Sequence, residues 1–198
     1  MLQQTPVARV TPRYGEFLGR FPTLESVARA RLRTVVGAWD GLGYYARARS
    51  LHKLARTVVH ETARARYGSA GCAASVRTAT LPAEPRALEE LPGIGPYTAA
   101  AVACFAFEVA APLVDTNVAR VLTRVFAPGV DPRTAAGRRA AWTIARATLP
   151  RRGAAAYTHN QALMELGALV CTARVRHCGH CPVRGCCRGR EEKKERRK

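Results

Sequence analysis

The chain has 198 residues, 47% of them hydrophobic, and sets 32 lysines and arginines against 14 acidic residues, a net charge of +18. Such a composition excludes a disordered tail, and no run of about 18 uncharged apolar residues is present to span a membrane. The opening MLQQTPVARV has no apolar signal core, so the expected setting is intracellular, with thiols reduced or metal-bound rather than paired. The length fits one domain or two small ones.

The charge is not a property of the tail alone. Arg188 to Lys198 hold seven basic and three acidic residues, a net of +4, which leaves +14 for the rest. Almost all of it is arginine, since Lys53 is the only lysine before the tail. A body this basic points to a polyanionic partner, nucleic acid first among them. The alternative is an even spread of arginines with no partner implied.

Taken in chain order, the periodicity is helical. Val7, Val10, Tyr14, Phe17 and Leu18 are expected on one helical face. Phe21-Pro22 and Gly41-Leu42-Gly43 are breaks. Leu51, Leu54, Ala55, Val58 and Val59 repeat the i, i+3, i+4, i+7 pattern. Residues 68–82 read as the longest loop. Leu91 to Pro96 is the next break. Val118, Val121, Leu122 and Val125 form another apolar stripe. Asp131-Pro132 reads as a helix cap followed by proline at the first helical position. Pro150 to Gly153 is a break before Leu163, Leu166, Gly167 and Val170. No segment alternates with period two and no repeat is found. The expectation is an all-α protein of eight or nine helices.

Three features carry chemistry. Cys171, Cys178, Cys181 and Cys187 are separated by six, two and five residues, and Cys186 stands beside the last of them. Four thiols so close argue for a metal. Zinc and an iron–sulfur cubane both accept four thiolates, and spacing does not choose between them. Arg174, Arg176, His177, Arg184 and Arg188 surround the group, where they would offset thiolate charge or contact phosphates. Cys72 and Cys104 are isolated, and Cys104 reads as core packing. The second feature is Leu91-Pro92-Gly93-Ile94-Gly95-Pro96-Tyr97-Thr98. Its two glycines permit a tight turn, and amides at such a turn and helix start can hold a phosphate oxygen. An ordinary helix–helix turn is the alternative. The third is Val114-Asp115-Thr116-Asn117-Val118. Asp115 reads as a helix N-cap. A role in a site would require it to face a cavity also entered by Tyr97, which periodicity cannot show.

The ordered set of LPGIGPYTAAA, VDTNV and C-x6-C-x2-C-x5-C resembles the helix-hairpin-helix DNA glycosylases of the endonuclease III group. Met1-Leu2-Gln3-Gln4-Thr5, the stretch GLGYYARAR from Gly41, and NQALMELGA from Asn160 narrow the resemblance to MutY-type adenine glycosylases. It covers residues 1 to about 187.

The resemblance implies a six-helix barrel-type domain plus an iron–sulfur subdomain. Residues 1–21 would be the remnant of an N-terminal part packing with the cluster subdomain. Residues 22–127 would be the helical domain, with the hairpin unit at about 85–107, residues 128–187 the cluster subdomain, and 188–198 a charged tail. It implies excision of adenine mispaired with 8-oxoguanine or guanine in double-stranded DNA, by a monomer in the bacterial cytoplasm at the nucleoid. Asp115 matches the carboxylate that stabilises the cationic sugar, Tyr97 a tyrosine near that sugar, and Asn117 a supporting amide. A lysine stands at the position of Tyr97 in lyase members, and a tyrosine cannot form a Schiff base, so strand cleavage is not expected. Gln3, Gln4 and Tyr44 match residues that probe the strand, with Tyr44 as a wedge. Gly93, Ile94 and Gly95 match the phosphate-binding hairpin. Cys171, Cys178, Cys181 and Cys187 match the ligands of a [4Fe–4S] cluster. Two departures stand out. The family's base-protonating glutamate lies two positions before the methionine of MLQQT, where this sequence starts, and members usually carry a C-terminal domain that reads 8-oxoguanine. The expected protein is thus a truncated adenine glycosylase of impaired activity. A catalytically inactive DNA-binding module and a mismatch thymine or uracil glycosylase remain alternatives.

Overall fold

A computed structural model describes residues 1, 5–67 and 79–190. Gln3, Gln4 and Cys72 lie outside the described residues, as does most of the stretch read as the longest loop. Among the described residues there are nine α-helices and no strand, in line with the all-α expectation. No described helix is long and apolar enough to cross a membrane. The chain divides into two compact units, residues 1–82 with 86–95 and residues 83–85 with 96–198.

The first unit begins with α1 (Val7–Arg20), α2 (Leu24–Arg29) and α3 (Leu32–Gly37), followed by the long α4 (Ala46–Tyr67). The five residues read onto one helical face all fall in α1, where Val10 and Phe17 are buried and Val7, Tyr14 and Leu18 are exposed. A seven-residue step returns to nearly the same azimuth of a helix, so Val10 and Phe17 share a narrow seam that the other three flank. Phe17 meets Phe21 at 5.0 Å and Trp39 edge-on at 5.8 Å between ring centroids. Edge-on aromatic pairs add to the stabilisation from area burial. α2 starts on a reciprocal cap between Thr23 and Ser26. α2 and α3 lie against α4, where Leu54, Ala55 and Val58 turn inward as the periodicity requires. His52 closes the α2–α4 contact with its Nε2 2.9 Å from the carbonyl of Ala30, just past α2. Glu25 accepts the amide of Ala79 at 2.7 Å and so ties that residue to the first turn of α2.

α5 (Pro85–Glu89) buries Leu88 and leads into the turn Leu91–Gly95. The Ile94 amide donates to the Leu91 carbonyl at 3.2 Å. Gly93 sits at φ +80°, and a Cβ there would lie 2.4 Å from the Cβ of Ser50 on α4. Glycine is required at this position both for the backbone angle and for the approach of α4.

The second unit opens with α6 (Pro96–Phe107), whose first residue is proline. Its buried positions are all small, Ala99, Ala100, Ala103 and Cys104, so neighbouring backbones can come close. α7 (Thr116–Phe126) buries Val118, Val121, Leu122 and Val125, as its stripe predicts. α8 (Ala135–Thr148) is capped by Thr134, whose hydroxyl accepts from the Gly137 amide at 3.0 Å. The cap is therefore not Asp131. That residue spends its carboxylate on Arg133, and its carbonyl accepts from Thr134 in the turn before the helix. α9 (Gly153–Glu165) buries Asn160, whose amide donates to the Ala111 carbonyl at 2.9 Å and to Cys104 Sγ at 3.2 Å. Cys104 is indeed fully buried. α9 ends in a π-helical turn, Leu166–Val170, closed by the Cys171 amide on the Leu166 carbonyl at 2.7 Å.

Candidate functional site

Asp115 caps α7, its Oδ1 accepting the Val118 amide at 2.6 Å. The cap reading is therefore correct, and it fixes one carboxylate oxygen. Oδ2 has the amide of Asn117 at 3.5 Å, a weak contact at most. Tyr97, in the first turn of α6, lies half-buried against the cluster of Leu113, Val118 and Leu122. Burial first, and then the negative charge of Asp115, hold its hydroxyl above the usual tyrosine pKa. Tyr97 and Asp115, eighteen positions apart in the sequence, are near enough for the carboxylate charge to act on the phenol.

Behind Asp115 runs a chain of hydrogen bonds. Asn117 Oδ1 accepts from Arg120 Nη1 at 2.9 Å. Arg120 also donates from Nη2 to the Gly167 carbonyl at 2.7 Å and from Nε to the Cys171 carbonyl at 3.0 Å. Desolvation and the neighbouring Arg124 cation lower the Arg120 pKa. Gly167 is where α9 touches α7, since a Cβ there would lie 2.9 Å from the Cβ of Asn117. Arg124, one turn on, donates to the carbonyls of Thr172 at 2.7 Å and Ala173 at 3.3 Å, and lies 3.4 Å from Cys171 Sγ. Neither arginine was singled out in the sequence. The available signal was their spacing, three and seven residues after Asn117 on one helical face.

Cys171, Cys178, Cys181 and Cys187 line one cavity. Its floor is Val121, Val125, Leu166 and Val170, and Arg124, Arg176 and Arg190 stand at its wall. Cys186 is exposed, outside that lining, with its Sγ on the Val183 carbonyl at 3.4 Å. Burial pushes the Cys187 thiol up, and the sulfurs of Cys171 and Cys181 add to the shift. Among the described residues no three His, Cys, Asp or Glu side chains form a site for a single metal ion.

In the first unit, Tyr44 is 60% exposed and at φ 48°, just after Gly43 at φ 68°. Gly93 and Gly95 are exposed and Ile94 is half-buried.

The sequence profile of the HhH-GPD superfamily base excision DNA repair proteins matches residues 1–146. An adenine DNA glycosylase of Mycolicibacterium smegmatis is 43% identical over 186 residues, covering 94% of this chain and 57% of that protein. The human adenine DNA glycosylase is 42% identical over 193 residues, 96% of this chain and 32% of that protein. The chain thus spans less than two thirds of either relative. A thermostable thymine-DNA glycosylase of known structure superposes with a TM-score of 0.79 at 28% identity, covering 96% of this chain and 80% of that one.

Proposed function

Because the chain belongs to the HhH-GPD superfamily of base excision DNA repair proteins, we propose that it acts on double-stranded DNA as a monofunctional glycosylase that hydrolyses the N-glycosidic bond of mispaired adenine. The observation that carries this reading is the Asp115 carboxylate, fixed as the cap of α7, with Tyr97 in the first turn of α6 within reach of its charge. The resembled adenine glycosylases and the adenine DNA glycosylases at 40% identity or more supply the base.

The target adenine leaves the stack, at a cost of a few kcal/mol, and exposes its glycosidic bond. As the bond breaks, positive charge grows on the sugar. A carboxylate fixed by its own helix needs no reorganisation to meet that charge, and this is the role of Asp115. Tyr97, half-buried in the first turn of α6, shields the sugar from water. Asn117 is held by Arg120 with its amide near Asp115 Oδ2. No amine stands at position 97, so the sugar is released to water rather than captured as a Schiff base. A proton for the leaving base must come from an acid, typically worth 10²–10⁴-fold. Glu16 pairs with Arg13, Glu25 holds the Ala79 amide and Asp40 accepts from the Tyr45 hydroxyl, so the three carboxylates of the first forty residues are engaged elsewhere. In the resembled family that acid is a glutamate two positions before Met1. Exposed backbone at Gly93 and Gly95 receives phosphates, and Tyr44, Gln3 and Gln4 probe the strand beside the flipped base.

Four thiols on one cavity with Arg124 against Cys171 Sγ fit a four-thiolate group. Cys171, Cys178, Cys181 and Cys187 would hold the [4Fe–4S] cluster implied by the resemblance, which would tie the residue after the π-helical turn to the last segment and supply no step to the hydrolysis.

A second reading, thymine or uracil removal from mismatches with guanine, draws on the likeness to the thymine-DNA glycosylase. Single-turnover base release from A·8-oxoguanine, A·G, T·G and U·G duplexes separates the two. The chain is assayed alone and with an N-terminal extension carrying the glutamate. Adenine release by the extended chain, lost in Asp115→Asn, is the expected result. Pyrimidine release alone would establish the second reading, and release of neither base would leave a binding module.

A further inference from the structure

Tyr44 occupies an improbable conformation. It is a non-glycine residue in the left-handed region, and a large aromatic ring there points into solvent. Such a geometry persists only when its surroundings over-determine it. The surroundings converge on Arg47. Its guanidinium lies 5.4 Å from the Tyr44 ring centroid and 5.6 Å from that of the buried Trp39. Its Nη1 donates to the Met1 carbonyl at 2.7 Å and its Nη2 to the Thr5 hydroxyl at 2.8 Å. Thr5 in turn donates to the Leu42 carbonyl at 3.2 Å, one end of the same loop. The Arg47 amide closes the loop on the Tyr44 carbonyl at 2.9 Å. One planar cation thus ties the N-terminal segment, the loop and the core tryptophan to a single exposed ring, as a flexible ammonium could not.

We propose that Arg47 is a positioning residue, its guanidinium stacked between Trp39 and Tyr44 and tied to Met1 and Thr5, which holds the Tyr44 ring in the outward pose that enters the DNA stack. The inference rests on Tyr44 being the wedge. It assigns Arg47 a role through Tyr44 and not through a phosphate, because both terminal nitrogens face the protein.

The test uses the full chain and a duplex with 2-aminopurine at the target position opposite guanine. Its fluorescence rises on unstacking. Wild type should raise the signal, and Tyr44→Ala should lose most of the rise. Arg47→Ala should lose at least threefold of it, and the double variant no more than Tyr44→Ala alone. The salt slope of duplex binding should be unchanged in Arg47→Ala, whereas loss of a phosphate contact lowers it by about one. Arg47→Lys, which keeps charge without the planar fork, serves if the alanine variant does not fold, and it should lose the rise as well. Wild-type fluorescence in the Arg47 variants, additive loss in the double variant, or a reduced salt slope would each overturn the proposal while leaving Tyr44 as wedge. No rise with wild type, or a full rise with Tyr44→Ala, would overturn the wedge reading and this inference with it.

Discussion

Replacing Arg120 by alanine removes three hydrogen bonds at once, to Asn117 Oδ1, the Gly167 carbonyl and the Cys171 carbonyl. The Cys171 carbonyl keeps a second donor in Arg124 Nη1 at 3.3 Å, so two acceptors are left without their arginine partner. An unsatisfied acceptor costs about 1–3 kcal/mol when buried. These groups are only partly buried, so the lower half applies and the total comes to about 2–4 kcal/mol. Urea unfolding followed by far-ultraviolet circular dichroism measures that difference directly. Lysine can replace one of the three bonds and should recover at most about a third of the loss. The functional consequence is separate. Asn117 loses its Arg120 partner, but its own contact with Asp115 Oδ2 is weak and the cap of α7 still fixes Oδ1, so single-turnover base release by the extended chain should fall by less than about tenfold, a rise of under about 1.4 kcal/mol in the barrier. A stability change within about 0.5 kcal/mol, the usual range for surface substitutions, would show that the network is ornamental and the energetic argument wrong.

Gly93→Ala meets both a positive φ and Ser50, and should destabilise by about 1–3 kcal/mol. The loss should be smaller when measured in a Ser50→Gly background, and equal losses in both backgrounds would remove the steric half of that account. Aerobically purified protein should be brown with about four irons per chain. Cys187→Ser should lose the iron and Cys186→Ser keep it, while colourless protein with one zinc would refute the cluster. Duplex affinity should fall steeply with salt, by roughly 0.9 in log affinity per log unit of salt for each phosphate neutralised, and a slope near zero excludes DNA as the partner. Glu25 has its pKa lowered, chiefly by the Ala79 amide. The Glu25 contribution is therefore present above the unfolded glutamate pKa of about 4.3 and is lost as pH falls through the folded value. Glu25→Gln should flatten stability between about pH 5 and 3, and an unaltered profile would count against the Ala79 contact.

Helix count and most buried stripes were legible because a period of 3.6 residues needs only local information. Leu54, Ala55 and Val58 show this, each buried where the pattern puts it. On α1 the shared face was legible but its buried part was not, because five apolar residues span a wider arc than the core accepts and only tertiary packing decides that Val10 and Phe17 enter. The Asp131 cap was misjudged because Thr134 offers a competing hydroxyl three residues later. Within the candidate site the cysteine group was visible as spacing. The nearness of the Asp115 charge to Tyr97 was not, since it depends on how the segment after α6 turns back. Arg120 and Arg124 were lost among many arginines, and their partners are carbonyls, which no sequence pattern marks.

The π-helical turn at Leu166–Val170 makes chain length, rather than side-chain identity, the guarded quantity at the end of α9. Five residues there fill a circuit that an ordinary turn closes with four. Deleting any one of them would let the backbone relax to regular pitch, and every atom beyond would swing by roughly 100° about the helix axis. Cys171 would then carry its carbonyl away from Arg120 and its sulfur away from Arg124, and the downstream thiols would follow out of phase. Conservative substitutions along Leu166–Val170 disturb packing by degrees, whereas a one-codon deletion disassembles the register in a single step. A deletion scan through this segment should therefore show a cliff where a substitution scan shows a slope.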